Sequence, residues 1–284
     1  MILQQKDKKL FVSTFLLVVI DLVGLAGMLS PYQDLFLKIT PINLLSSALL
    51  LFFNHKQFNK AFFIFCGITF LFGFFIEVIG VRTGIIFGQY AYGNTLGPKI
   101  AGAPILIGLN WLMLIYSAGI ISHKLNGGMF FKSCTGAMLL VILDLFMEPV
   151  ATRSDFWSWN NGILPTQNYV AWFITSFLLL VVFHKLQFNK INKFAPILYI
   201  VQLIFFALLS ALWVKLDITH YTYFLLIIFT IFYPLLKSFE NKIKFADKWK
   251  FLFPAIIING IIFIVWDIWF TSVGIWKFNP DYVI

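Results

Sequence analysis

A chain of 284 residues that is 60% hydrophobic and 12% charged, with 35 Phe and a mean hydropathy of +0.89, lies far outside the composition of a soluble domain. Its formal net charge of +9 does not point to nucleic acid, because Lys and Arg fall in short segments between apolar stretches, where they set membrane topology and meet anionic lipid. Cys66 and Cys134 lie inside apolar stretches, so they read as small apolar residues and exclude a secreted-type disulfide framework.

A helix needs about 20 apolar residues to cross the hydrocarbon core, because every backbone polar group has to be satisfied within the segment. That criterion predicts an all-α fold, a polytopic membrane helix bundle with nine spans. They fall near residues 10–30, 35–53, 61–80, 102–121, 131–149, 168–184, 194–214, 220–236 and 251–274. The first follows Lys6, Lys8 and Lys9 as a signal peptide would, but it is too long for one and contains Asp21, so it reads as a retained helix. With the N-terminus on the cytoplasmic side of the cell membrane, the inner segments collect 15 of the 21 Lys and Arg. The outer side keeps Lys38, Arg82, Lys99, Arg153, Lys215 and Lys277.

Five acids sit inside these spans: Asp21, Glu77, Asp144, Glu148 and Asp267. A carboxylate in hydrocarbon costs roughly 2.5 to 3.5 kcal/mol on insertion scales, so such residues usually serve a site or a proton path. All five fall in spans running from inside to outside, and four lie in the outward half of their helix. Asp144 and Glu148 are four residues apart and share one helix face. Two neighbouring carboxyls in a poorly hydrated place do not both ionise easily, so one is expected to keep a proton at neutral pH. For a single acid, pairing with Arg82, Arg153 or a backbone group is the competing account. A chemical role is favoured for Glu77 and for Asp144 with Glu148, and helix packing for Asp21.

The outer loops add to this pattern. Residues 81–101 are rich in Gly and aromatics, with Arg82 five residues after Glu77, and residues 150–167 carry Arg153, Asp155, Trp157, Trp159 and Pro165. Any one aromatic here fits an interfacial belt; together the loops read as a lid over the outer mouth of the bundle. His55, His123, His184 and His220 are scattered, with no pair at helical spacing, so no metal site is expected. Asp144 with Glu148 is a poor match for a magnesium-diphosphate site, and neither a dinucleotide fingerprint nor a nucleophile elbow is present. Acid chemistry on an apolar substrate remains. A buried carboxylic acid protonates an alkene to a tertiary carbocation, which the faces of Trp157, Trp159, Tyr90 and Tyr92 stabilise by cation-π attraction. Capture by water gives an alcohol; capture by a neighbouring double bond gives a ring.

Two blocks carry a resemblance. The first is Glu77-Val-Ile-Gly80-Val-Arg82-Thr83-Gly84 with Phe87-Gly88-Gln89-Tyr90-Ala91-Tyr92, Leu96-Gly97, Pro104 and Trp111. The second is Asp144-Leu-Phe-Met-Glu148-Pro149-Val-Ala151 with Trp157-Ser-Trp159. Over roughly residues 10–215 the chain resembles the membrane-embedded carotenoid 1,2-hydratases, which add water to the terminal C1=C2 double bond of an acyclic carotenoid end. Bisanhydrobacterioruberin hydration and gamma-carotene 1'-hydroxylation are examples. The resemblance implies a cofactor-free, metal-free enzyme in the bilayer, acting on a lipophilic carotenoid of the lycopene or gamma-carotene type. On that resemblance Glu77, Asp144 and Glu148 are expected as the candidate acid and water-positioning groups, Arg82 as an orienting charge, and Tyr90, Tyr92, Trp111, Trp157 and Trp159 as the residues that bind substrate.

Residues 216–284 are similar to the start of the membrane lycopene cyclase domain. The likeness rests on Tyr221-Thr-Tyr223, Tyr233-Pro234, Phe253-Pro254-Ala255, Trp266-Asp267 and Trp276-Lys-Phe278-Asn279-Pro280. It implies a hydratase domain at 1–215 fused to an incomplete cyclase domain at 216–284, with Asp267 as a catalytic match and the chain cut short at Ile284. Cyclisation, or a non-catalytic protein that binds carotenoid, are the alternative functions.

Overall fold

The computed structural model describes residues 2–214, 238 and 245–275, and the chain divides into two compact units, Met1–Leu216 and Asp217–Ile284. The first unit holds α1 (Ile2–Met28), α2 (Gln33–Lys38), α3 (Thr40–Phe53), α4 (Lys60–Thr83), α5 (Ile105–His123), α6 (Met129–Arg153), α7 (Thr166–Lys185) and α8 (Phe194–Leu209). A π-helical turn, Ser210–Val214, follows α8. Four short strands lie between helices: β1 (Tyr90–Tyr92), β2 (Lys99–Ile100), β3 (Ala103–Pro104) and β4 (Trp157–Trp159). The second unit holds α9 (Trp249–Ser272), entered through one 3-10 turn at Phe245–Lys248.

Among the described residues, seven helices are long and apolar enough to cross a bilayer, which makes this an all-α, multi-pass membrane protein. They are Lys8–Met28, Lys60–Thr83, Ile105–His123, Met129–Arg153, Thr166–Lys185, Phe194–Leu212 and Phe251–Ser272. The continuous span expected at 35–53 is broken into α2 and α3. Pro41 stands in the first turn of α3, where its missing N–H removes no helical bond and its ring opens a new helix rather than extending α2. The 14 residues of α3 rise about 21 Å, short of the ~30 Å hydrocarbon core. The span expected at 220–236 lies outside the described residues.

The core of the first unit is α5, buried from Trp111 through Ile120, with α4, α6, α7 and α8 packed around it. α3 runs antiparallel to α1. Asn54 Nδ2 donates to Ser13 Oγ at 2.9 Å at one end of the pair, and Asn43 Nδ2 donates to Asp21 Oδ1 at 3.5 Å nearer the other.

This unit has two unlike ends. At one end, the roof, β1 pairs antiparallel with β4, joining the segments that follow α4 and α6, and β2 pairs with β3. At the other end, the floor, the segments 54–59 and 186–193 are tied by Asn59 Nδ2 to the Gln187 carbonyl and Asn189 Nδ2 to Gln57 Oε1, both at 3.1 Å. In the second unit Trp266 stacks on Phe270 at 4.7 Å, and Asp267 is half-buried on the same helix.

Candidate active site

The roof is built from a two-residue period. In the β1–β4 pair Tyr90 faces Trp159, Ala91 faces Ser158 and Tyr92 faces Trp157. Alternation along a strand therefore sends Tyr90, Tyr92, Trp157 and Trp159 into the bundle while Ala91 and Ser158 stay exposed. The segments leading into the strands are fixed by backbone turns. Gly84 ends α4 in the left-handed region at φ 67°, and Asp155 sits at φ 53° after α6, its Oδ2 accepting from the Asn94 amide at 2.9 Å. Gly93 donates to the Phe156 carbonyl at 3.0 Å.

Beneath this roof lies Glu77 of α4, 4% exposed. Its Oε1 accepts from the Trp111 indole N–H at 2.8 Å, and its Oε2 accepts from the hydroxyls of Tyr90 at 2.5 Å and Tyr92 at 2.7 Å. Burial first, and the Glu77 charge second, push both phenols above their ordinary range, so both stay protonated donors. Two glycines make room for these contacts on the same face of α4. A Cβ at Gly73 would sit 2.5 Å from the Trp111 Cβ, and one at Gly80 would sit 2.8 Å from the Tyr90 hydroxyl. Trp111 also stacks on Trp172 of α7, with ring centroids 4.5 Å apart.

Asp144 and Glu148, one turn apart on α6, are 0% and 2% exposed. Asn168, near the start of α7, donates one amide proton to Asp144 Oδ2 at 2.9 Å and the other to Glu148 Oε1 at 3.0 Å. Glu148 Oε2 accepts from the indoles of Trp159 at 2.9 Å and Trp157 at 3.1 Å. Asp144 Oδ1 has no partner among the described residues. The indole, phenol and amide groups that donate to these three carboxyls are neutral. Glu77 and Glu148 are each met by three of them, while Asp144 is met by one.

Two adjoining cavities meet this arrangement. A cavity of about 20 Å³ is lined by Glu77, Glu148, Tyr90, Tyr92, Trp157, Trp159, Asn110 and Asn168 among others. Roughly 10–15 Å³ is the threshold for one water molecule with polar partners, so the space suits a single water. Ile107, Asn110 and Trp157 also line a second, largely apolar cavity of about 530 Å³ between α1, α3, α5, α6 and α8. A groove of about 770 Å³ along α1 and α3 shares Ile20 and Ser46 with that cavity and runs toward Phe53 and His55 at the floor. A small polar pocket between carboxyls thus adjoins a larger apolar cavity.

The structure brings together Glu77, Glu148, Tyr90, Tyr92, Trp157 and Trp159 around the small cavity, with Asp144 behind Glu148. Trp111 acts on Glu77, holding its Oε1, and does not line that cavity. Arg82 is exposed at the end of α4, and its Nε donates to the Ala101 carbonyl at 3.4 Å rather than to Glu77. Asp267 lies in the second unit, on α9. Most of the cyclase-like motif residues, including those at 221–234 and 276–280, lie outside the described residues. The sequence reading missed Asn168, Asn110 and Trp172. Asn168 and Asn110 carry a usable signal, an amide inside an apolar span, because a polar group there needs a buried partner.

Residues 39–236 match the family model described as carotenoid biosynthesis protein. A relative is a bisanhydrobacterioruberin hydratase of Haloarcula japonica, 29% identical over 124 residues, which cover 40% of this chain and 41% of that protein. The matched stretch therefore spans less than half the length of that curated relative. No solved structure matches the chain.

Proposed function

The chain belongs to the carotenoid biosynthesis protein family, and from that premise we propose that it hydrates the terminal C1=C2 double bond of an acyclic carotenoid end group, without a cofactor. One observation carries the proposal: Glu77 and Glu148, from different helices, converge on one water-sized cavity that adjoins an apolar passage. The hydratase relative supports it.

The polyene lies in the apolar passage with its end group beside Trp157. Glu148 in its acid form, oriented with Asp144 by the two amide protons of Asn168, protonates C2, and the positive charge forms at the tertiary carbon C1. The indole and phenol faces of the roof lower the energy of that cation. Water between Glu77 and Glu148 forms the new C–O bond at C1 and loses a proton to Glu77. That proton passes back to Glu148 through the next water bound in the same cavity. One water is consumed, one double bond is lost, and the carboxyls end as they began. Trp111, Tyr90 and Tyr92 hold Glu77 in place throughout.

Expression in a host that accumulates lycopene tests the reading: the pigment is expected to gain the mass of one water. A pigment of unchanged mass with altered absorption would mean cyclisation instead, and pigment bound but chemically unchanged would mean a carotenoid-binding protein. We assign residues 216–284 a cyclase-like origin on the Trp266-Asp267 pair of α9. A ring-bearing product lost in Asp267→Asn alone would give that unit its own activity.

A further inference from the structure

The apolar cavity contains an acid that this mechanism does not use. Asp21 of α1 lines it, 9% exposed, opposite Asn43 and Ser47 of α3. Its Oδ1 accepts from Asn43 Nδ2 at 3.5 Å, a long bond, and Asn43 Oδ1 accepts from Ser47 Oγ at 3.4 Å. Its Oδ2 has no hydrogen-bond partner among the described residues. Where Glu77 and Glu148 are each met by three short donors, Asp21 is met by one long one.

A buried oxygen left unpaired destabilises the fold, more so if it is charged, and the deficit is removed when a ligand supplies the missing partner. No Lys or Arg is among the described residues lining this cavity, so no basic side chain there competes with a ligand for the Asp21 carboxyl. An O–H group serves in either protonation state of the carboxyl, because a hydroxyl both donates and accepts. Leu44, Leu114, Leu143, Phe205 and Phe206 give the cavity aliphatic and aromatic walls, and walls of that kind favour a neutral ligand over an ionic one.

We propose that Asp21 and Asn43 form a second polar subsite, one that binds an O–H group inside the apolar cavity, apart from the carboxyl cluster under the roof. The O–H belongs either to a water or to an alcohol on the polyene. On the reading that the passage holds a polyene, an alcohol bound here makes Asp21 sort oxygenated from unoxygenated substrates, and a bound water does not.

The test is binding, so it stands whether or not the protein hydrates anything; pigments that bind but gain no water would sink the proposed activity and leave this subsite intact. The full chain in lipid nanodiscs is titrated with an acyclic hydrocarbon carotenoid and with its monohydroxylated counterpart, reading the quenching of Trp fluorescence, to which Trp157 in the cavity wall contributes. A preference of roughly fivefold for the alcohol in the wild type, erased in Asp21→Leu, is the result for a substrate hydroxyl. Equal affinities in the wild type, with both pigments binding more tightly to Asp21→Leu, assign the subsite to water. Asn43→Leu is the second variant, should Asp21→Leu not fold, and is expected to move affinities in the same direction. Affinities unchanged in the variants, or an alcohol preference that survives both, overturn the proposal.

Discussion

The floor and the roof of the first unit both bury polar side chains in an apolar bundle, and they do so in opposite ways. At the floor, the His55 Nδ1 and the Tyr116 hydroxyl are 2.7 Å apart, and His55 Nε2 lies 2.9 Å from the Gln57 carbonyl. A carbonyl only accepts, so Nε2 carries the proton and Nδ1 accepts from Tyr116. Asn192 Nδ2 donates to the Leu51 carbonyl at 3.0 Å and to the Tyr116 oxygen at 3.3 Å, and Phe62 stacks on the imidazole at 4.1 Å. Donors and acceptors match, all members are neutral, and the network closes on itself. At the roof three carboxyls are held by neutral donors, one oxygen of Asp144 has no partner among the described residues, and a water-sized space lies between two of the acids. A matched network fastens loops; an unmatched one beside a cavity has capacity left for a ligand and a proton.

The sharpest way to break this contrast is to neutralise the roof without changing its shape. Glu148→Gln and Glu77→Gln are each expected to lower hydration at least about 100-fold while the protein still accumulates in membranes, since positioned acid-base groups contribute on that scale. Full activity in both variants would refute the proton-transfer roles of these two carboxyls. Asn168→Leu removes one donor from each of Asp144 and Glu148 and frees their carboxyls to shift; a fall of roughly 10- to 100-fold in turnover is expected, measured as product per folded protein.

Floor substitutions should behave differently. Tyr116→Phe deprives His55 of its donor and Asn192 of an acceptor, so thermal unfolding in detergent should show a loss of about 1–3 kcal/mol, with activity per folded molecule unchanged. A catalytic loss without a stability loss would erase the distinction between the two ends. The smallest effect is in pH. Burial holds the His55 imidazole below its ordinary value of 6.5, with the Gln57 carbonyl acting in the opposite direction. The neutral ring is thus favoured in the folded state. Its contribution to stability is fully present above about pH 6.5 and is lost as pH falls through the lower, folded-state value. Melting temperatures measured from pH 8 down to pH 5 should drop further in the wild type than in His55→Gln; parallel curves would contradict this.

The bundle was legible because a bilayer imposes a length and an apolarity on each helix, and α4 to α8 follow that rule closely. The break at Ile39 was not, since apolar residues continue on both sides of it through 35–53 and Pro41, with Lys38 just before it, marks the new start. The buried acids of the candidate site were legible for the same reason as the helices: Glu77, Asp144 and Glu148 violate the hydrocarbon rule, and four-residue spacing puts the last two on one face. Their partners were less so. The alternation of Tyr90 with Tyr92 and of Trp157 with Trp159 is visible in sequence, but the pairing of two three-residue strands 67 residues apart in register is a tertiary fact. Arg82 shows the limit of proximity along the chain: five residues after Glu77 is beyond the i+3 and i+4 positions that share a helix face, and the guanidinium meets the Ala101 carbonyl instead.

The most direct test of the central claim is the origin of the oxygen. Membranes containing the full chain are given lycopene in oxygen-18 water without molecular oxygen, and the product is weighed by mass spectrometry. One labelled oxygen in the wild-type product, absent with Glu148→Gln, is the result that acid-catalysed hydration predicts. A pigment that acquires no label, or that is oxygenated only when molecular oxygen is supplied, would contradict it.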